Sequence, residues 1–348
     1  MRILSVGQMD GISNTCRFRN LALENIADKV DVVNTSARVT LWYRIAYHLF
    51  LFGIPVKLPD TVGANKKIIE LIIKHNYDIV WIDKGNTIEA STLNYIKVKQ
   101  PNAKLISYSP DNMVLRHNHS KQYLEAISFY DYVITNKSYI VKELKHLGAR
   151  SVIFVNNTFE PSFHHPYQLN HRDIERLGGE VGFIGAWEKE RCESILYLSR
   201  NGIKVNVYGD KKWKKYIGDN PCLHIVLNGL FNEDYAKSLC AFKINLCFLR
   251  KMNFDKQTTR SVEIPACGGF MLAERTDEHK SLFEEDKEAV FFSSNEELLE
   301  KCIYYLEHEC ERKIIAAAGR KRCLDSDYSN EGMIRKTLIK VLGDGSIG

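Results

Sequence analysis

The sequence predicts an α/β protein built from two doubly wound, Rossmann-like units, and three observations carry that expectation. The chain has 348 residues, more than one hydrophobic core usually organises. Short apolar runs alternate with helical stretches from end to end, and most are continuous rather than alternating, as strands covered on both faces of a parallel sheet are. The runs come as six, a polar break, and six again.

Taken in order, strands are expected near 2–6, 30–34, 78–82, 104–108, 131–135 and 151–155, then near 181–184, 203–207, 223–227, 243–248, 269–273 and 289–292. Helical segments such as Ala64–His75 and Ser138–Leu147 lie between them. The break falls in 160–180, where Pro161, His164, His165, Pro166 and the Gly178-Gly179 pair interrupt any apolar periodicity. It separates an N-terminal domain over 1–165 from a C-terminal domain over 178–328. A last helix within 329–348 carries Ile334, Leu338, Val341 and Leu342 on one face, which is expected to pack back on the N-terminal domain. Ser294-Asn295-Glu296-Glu297 is a capping box opening a helix toward Arg312.

One helix is unusual. From Val39 to Phe52 nearly every residue is apolar, and Thr40, Arg44 and His48 recur every fourth position in one narrow stripe. The run is too short and interrupted to span a bilayer. It is a peripheral membrane contact with Trp42 and Tyr43 as anchors, the lining of an apolar acceptor groove, or an internal helix under the sheet.

Apolar residues make up 45% and charged residues 26%, which excludes a coiled coil, a disulfide-stapled miniprotein and a low-complexity tail. The formal charge is +6 before residue 178 and −1 after it. A basic first half suits an anionic partner such as a lipid surface or a phosphorylated acceptor, or reflects chance asymmetry of a soluble surface. The overall excess of +5 is mild, and nucleic acid is not an expected partner. The nine cysteines are scattered without a Cys-x-x-Cys pair, and Met1 leads straight into a strand without a signal-peptide core. Both fit a cytoplasmic protein.

Two such units suggest a ligand in a cleft between them, at the carboxyl ends of the strands. The first strand is followed by Gly7-Gln8-Met9-Asp10-Gly11, looser than a dinucleotide fingerprint, and Walker A, His-Glu-x-x-His and Gly-x-Ser-x-Gly sequences are missing. The densest signal runs from Thr259 to Ala273. Glu263 sits inside a short helix, and Gly268-Gly269 turns into a buried strand. The helix start offers amides to a diphosphate, and Arg260 could pair with phosphate oxygens. Glu263 could accept a ribose diol, or be a helix-start carboxylate satisfying local amides. Asp255 stands eight positions earlier, giving Asp-x7-Glu.

The stretch from Arg260 to Phe292 resembles the C-terminal part of CgeB-like glycosyltransferases, which are similar to retaining family 4 enzymes. The resemblance continues through Glu296-Glu297-Leu298, Tyr304-Tyr305-Leu306 and Ala318-Gly319-Arg320, and touches Asp131-Tyr132-Val133, Glu143-Leu144, Gly148-Ala149 and 163–166. It implies a GT-B fold, two Rossmann-like domains facing each other across a cleft, with a nucleotide-sugar donor on the C-terminal domain and the acceptor on the N-terminal one. It further implies transfer to a glycan or lipid-linked acceptor, with retention, in cell-surface polysaccharide or glycoconjugate synthesis.

Carried over residue by residue, the family's Glu-x7-Glu falls on Asp255 and Glu263. Glu263 would hold the donor ribose, while Asp255 is one methylene short. The family's basic residues fall at Lys189 and Arg191, behind Gly185. With Arg260 they would neutralise the leaving diphosphate, although Lys189 and Arg191 equally fit a solvated helix face. Gly209 and Gly229 end two strands and, with Gly268, are donor-side candidates or plain turns. The family's His in the N-terminal half is missing; Asp111 stands there as a general base or only as a turn residue. Asp111, Asp255 and Glu263 are thus the catalytic candidates. Gly11, Arg17 and His117 are acceptor-side candidates, with a flexible loop carrying solvated arginines and a surface histidine as the alternatives. No metal or cofactor beyond the nucleotide-sugar co-substrate is expected, and side chains supply the positive charge. A nucleotide-sugar epimerase of the same fold, and a non-catalytic sugar- or nucleotide-binding envelope or spore protein, are the alternatives.

Overall fold

All twelve expected strands form, each end within about two residues of its apolar run. The computed structural model describes residues 1–11, 14–218 and 220–343. The chain divides into two units, one of residues 1–156 with the helix Asn330–Leu342, the other of residues 157–329.

The first unit holds β1 (Arg2–Gly7), β2 (Lys29–Asn34), β3 (Ile79–Asp83), β4 (Lys104–Ser109), β5 (Tyr132–Thr135) and β6 (Val152–Phe154), ordered β2-β1-β3-β4-β5-β6 and all parallel. The apolar runs are continuous because alternate residues serve opposite layers. Leu4, Val80 and Ile82 pack with Ile68, Leu93 and Tyr123 on one face. Ile3, Ile79 and Trp81 meet Leu23, Ile334 and Leu338 on the other. The last helix thus completes a layer of the first unit, beside the helix Thr15–Ile26.

The second unit holds β7 (Gly179–Ile184), β8 (Val205–Tyr208), β9 (Leu223–Val226), β10 (Phe242–Cys247), β11 (Met271–Glu274) and β12 (Val290–Phe292), ordered β12-β11-β10-β7-β8-β9 and again parallel. Its strands divide their residues likewise: Val181, Phe183 and Leu272 face one core, Ile184, Met271 and Ala273 the other.

Two local expectations are corrected. The helix opened by Ser294 ends at Glu307, and a separate helix, Glu309–Asp325, follows. Ser294 Oγ accepts the Glu297 amide at 3.2 Å, but the Glu297 carboxylate takes the Ser293 amide at 2.7 Å and both η nitrogens of Arg275. The helix Leu41–Leu51 is not an internal helix: Phe50 is its only buried residue.

Arg275 holds the Glu297 carboxyl down at about 2, against 4.5 for an ordinary glutamate. A depressed folded-state value means this pair stabilises the fold above about pH 4.5 and the contribution fades as the pH falls toward 2. Glu297→Gln is therefore expected to flatten the acid limb of a urea-denaturation stability profile over that window. An unchanged limb would show that the pair contributes nothing.

Candidate functional site

In the second sheet the chain order reverses between the neighbours β7 and β10, the place where doubly wound sheets bind ligands beyond the carboxyl ends of their strands. The turn after β7 is built on two glycines. Gly185 donates its amide to Tyr208 O at 2.9 Å and accepts Trp213 Nε1 at 3.2 Å. A β-carbon at Gly185 would lie 2.9 Å from Arg260 Nη2, and one at Gly209 would lie 2.3 Å from the Trp213 ring and 2.9 Å from Gly185 O. Only bare backbone lets these groups close up.

Arg260 Nε donates to Ile184 O at 2.7 Å. Arg191 is buried, and its η nitrogens donate to Ala186 O and Leu249 O, each at 3.1 Å. Both guanidiniums sit over the Phe183 ring, at 5.5 Å for Arg191 and 5.9 Å for Arg260. Burial, and then the neighbouring Arg260 charge, pull Arg191 down to about 10. Arg191 reaches Glu188 at 3.4 Å and Arg250 reaches it at 2.9 Å, while Lys251 pairs with Glu274. Four cations thus stand against Glu188 and Glu274, and the local sum stays positive with Glu263 included. A cavity of about 390 Å³ opens beside them, lined by Arg191, Phe248, Lys251, Glu274, Arg275 and Asn295 among others.

Glu263 lies one turn beyond Arg260 on the short helix Arg260–Ala266, so the two share a face. Its carboxylate is taken up not by helix amides but by Tyr235, whose Oη donates to Oε2 at 2.6 Å. His164 Nε2 stands 3.8 Å from Oε1, with its ring edge-on to Tyr235. Burial, and then the Glu263 charge, push the Tyr235 phenol well above its usual value, so it remains a donor at neutral pH.

The helix start differs from expectation. The amides of Ser261, Val262 and Glu263 donate to the carbonyls of Thr258 and Thr259, so these three are already engaged within the turn. Asp255 is half-buried, and its amide donates to Arg250 O at 3.2 Å. It follows Phe254, an exposed residue held at φ 55°, a costly conformation for a side chain of that size.

Three donor-side candidates stand apart from this group. Lys189 lies on the exposed face of its helix, 3.9 Å from Glu193. Gly229 is exposed at the end of β9, near Phe231. Gly268 lies at the far end of the Glu263 helix, near Pro166 and Arg320, where φ +75° makes it the helix stop.

In the first unit, Asp111 is an ion-pair partner as well as a turn residue. Lys84, in the left-handed region at φ 61°, brings its ammonium to 2.5 Å from Asp111 Oδ2. Arg17 faces solvent, while Arg19 turns inward to a bidentate pair with Asp83 at 2.9 and 2.6 Å, over the Tyr108 ring. Gly11 is exposed at φ +119°, and residues 12 and 13 of its loop lie outside the described residues. His117 is half-buried. The nearby His119 is buried, with Nδ1 2.7 Å from Met113 O, and burial lowers its pKa. Sequence reasoning missed Tyr235, Lys84 and Asp83, and gave His164 no role. Only Asp83-Lys84 left a trace, a charged pair at the end of an apolar strand.

Two doubly wound parallel units define a GT-B protein. Residues 191–338 match a family model described as glycosyl transferase-like. The chain is similar to HepE of Anabaena, solved in complex with UDP-glucose, at 16% identity over 98% of this chain and 100% of that one, with a TM-score of 0.63. It is also similar to sucrose-phosphate synthase of Thermosynechococcus elongatus, at 11% identity over 98% of each chain and a TM-score of 0.63. A putative UDP-N-acetylglucosamine 2-epimerase from Listeria monocytogenes shares the fold at 14% identity, over 98% of this chain and 95% of that one, with a TM-score of 0.53. No curated protein sequence matches the chain. The structural likenesses establish the GT-B fold, and the family model bears out the glycosyltransferase class. Neither extends to the CgeB-like subtype.

Proposed function

We propose that the protein transfers a sugar from a nucleotide-diphosphate donor to a glycan or lipid-linked acceptor at the cytoplasmic face of a membrane, with retention and without a metal ion, in cell-surface glycoconjugate synthesis. The second unit holds the donor and the first the acceptor. The observation that carries this reading is the pair of guanidiniums, Arg191 buried and Arg260 half-buried, around Phe183. Two like charges so close repel, and a dianionic diphosphate relieves that repulsion more than any neutral ligand does. As the glycosidic bond breaks, the growing negative charge meets cations already in place.

Glu263, oriented by Tyr235, accepts the ribose diol, and the Gly185 and Gly209 backbones leave room for the nucleotide. Asp255 approaches the transferred sugar. Asp111, held by its ion pair with Lys84, orients the acceptor hydroxyl or takes its proton, while Gly11, Arg17 and His117 contact the remainder of the acceptor.

The test is thermal unfolding against UDP, GDP, CDP, ADP and their sugars. One diphosphate at a hundredfold excess over its Kd is expected to raise the Tm by about 5 °C or more, and Glu263→Ala should remove the shift. No shift with any of them would overturn the donor assignment. The fold shared with the Listeria epimerase supplies a second reading. An epimerase converts donor incubated alone, whereas the transferase leaves its sugar configuration unchanged.

A further inference from the structure

We infer that the first unit docks on an anionic lipid bilayer through the helix Leu41–Leu51 and the basic segments beside it. Tyr43, Ala46 and Phe50 form the inward face of this helix, and it makes no extensive contact with another helix or strand. On the outward side Trp42, Ile45, Leu49 and Phe52 follow at spacings of three, four and three, all exposed, with Trp42 74% and Phe52 76% accessible. A stripe of large apolar side chains left in water marks a contact surface, and an indole at its edge suits the boundary between headgroups and acyl chains. No helix among the described residues is long and apolar enough to cross a membrane, so this one lies in the plane of the interface.

Charge selects the occupant. No Asp or Glu occurs from Val32 to Pro59, nor from Asn112 to Leu124. The two stretches are laced together. The Lys121 amide donates to Val56 O at 3.1 Å, and Leu58 exchanges two hydrogen bonds with the Gln122 side chain, at 3.0 and 2.7 Å. A β-carbon on Gly53 would lie 3.1 Å from Arg116 Cβ, which puts Arg116 at the end of the apolar helix. Lys57 and Lys121 are engaged by Glu125, whereas Arg38, Arg44 and Arg116 are exposed and have no acidic partner among the described residues. A two-fold contact with a second copy would press this basic patch against itself. Anionic headgroups instead meet the arginines while the stripe enters the acyl boundary. Within the proposed function, and resting on it, this surface favours the lipid-linked acceptor over a free glycan.

The test is co-sedimentation of the full chain with vesicles of phosphatidylcholine and phosphatidylglycerol in equal parts, beside vesicles of phosphatidylcholine alone. Binding is expected to the anionic vesicles only, to weaken with salt, and to shift Trp42 emission to the blue. The other tryptophans are no more than half-exposed, so they leave that signal readable. Trp42→Ser with Phe52→Ser should abolish binding, and Arg44→Gln with Arg116→Gln should weaken it roughly 30-fold. All four positions are exposed, and unchanged melting curves confirm that the variants fold. Failure of the unaltered chain to sediment with anionic vesicles would overturn the proposal. So would equal binding to neutral ones, or a concentration-dependent dimer that the Trp42 and Phe52 substitutions dissolve. None of these readings uses a donor, so loss of docking and loss of the transferase assignment are separate results.

Discussion

Arg260→Ala is expected to slow sugar transfer by roughly 10²- to 10³-fold in kcat, with a smaller change in KM. The guanidinium is fixed before reaction by one bond from Nε to Ile184 O at 2.7 Å, which leaves its two η nitrogens for the ligand. A cation held in this way needs no reorganisation as the diphosphate leaves, so its loss falls mainly on the transition state. Arg260→Lys should recover only part of the rate, because an ammonium lacks the fork that spans two phosphate oxygens. Stability supplies the discriminating readout. Arg260 adds repulsion to the buried Arg191, so its removal should leave the Tm unchanged or raised. A large fall in Tm with unaltered turnover would make Arg260 a structural residue and sink its role at the leaving group.

The fold was legible because the apolar runs of the central strands record two layers at once. Ile79 and Trp81 serve one core while Val80 and Ile82 serve the other, and no solvent-facing alternation competes with that pattern. The site was legible where its partners are local, as with Arg260 and Glu263 one turn apart. Tyr235 was invisible because it meets Glu263 across 28 residues of sequence, and nothing near Tyr235 announces a carboxylate. The split within two pairs of basic residues was present in the sequence but needed helix geometry to extract. Residues two apart on a helix point to nearly opposite sides, so Lys189 and Arg191 could not both face a ligand, nor could the candidate Arg17 and its neighbour Arg19. In each pair the second residue turned inward. The free amides expected at the Glu263 helix failed for another reason. Ser261 Oγ accepts the Thr258 amide at 3.0 Å, closing a turn whose carbonyls engage the amides of Ser261, Val262 and Glu263. For Val39–Phe52 the periodicity showed a stripe but not which side the unit covers, since that depends on the distant segment around Arg116.

Asp83→Leu is expected to destabilise the first unit by about 3–5 kcal/mol, lowering its Tm by roughly 10 °C. Arg19 is 3% exposed and Asp83 7%. Their two hydrogen bonds, 2.9 and 2.6 Å, supply much of what replaces water around each charge. Trp81 Nε1 adds a weaker bond to Asp83 Oδ2 at 3.4 Å, and the Tyr108 ring lies 4.1 Å from the guanidinium. Deleting the carboxylate strands a buried cation, which costs more than the pair itself contributes. The double variant Arg19→Met with Asp83→Leu should therefore recover most of the loss, because apolar side chains of similar size suit this site at least as well as a desolvated ion pair. Urea unfolding of the two single variants and the double variant measures the coupling. A cost below about 1 kcal/mol for Asp83→Leu would mean that solvent reaches Arg19. The same substitution separates the two halves of the proposed function. Asp83 immediately precedes Lys84, so its loss should also loosen the Lys84–Asp111 pair and slow transfer. Every donor-side candidate lies within residues 157–329, so below the melting temperature donor binding should survive.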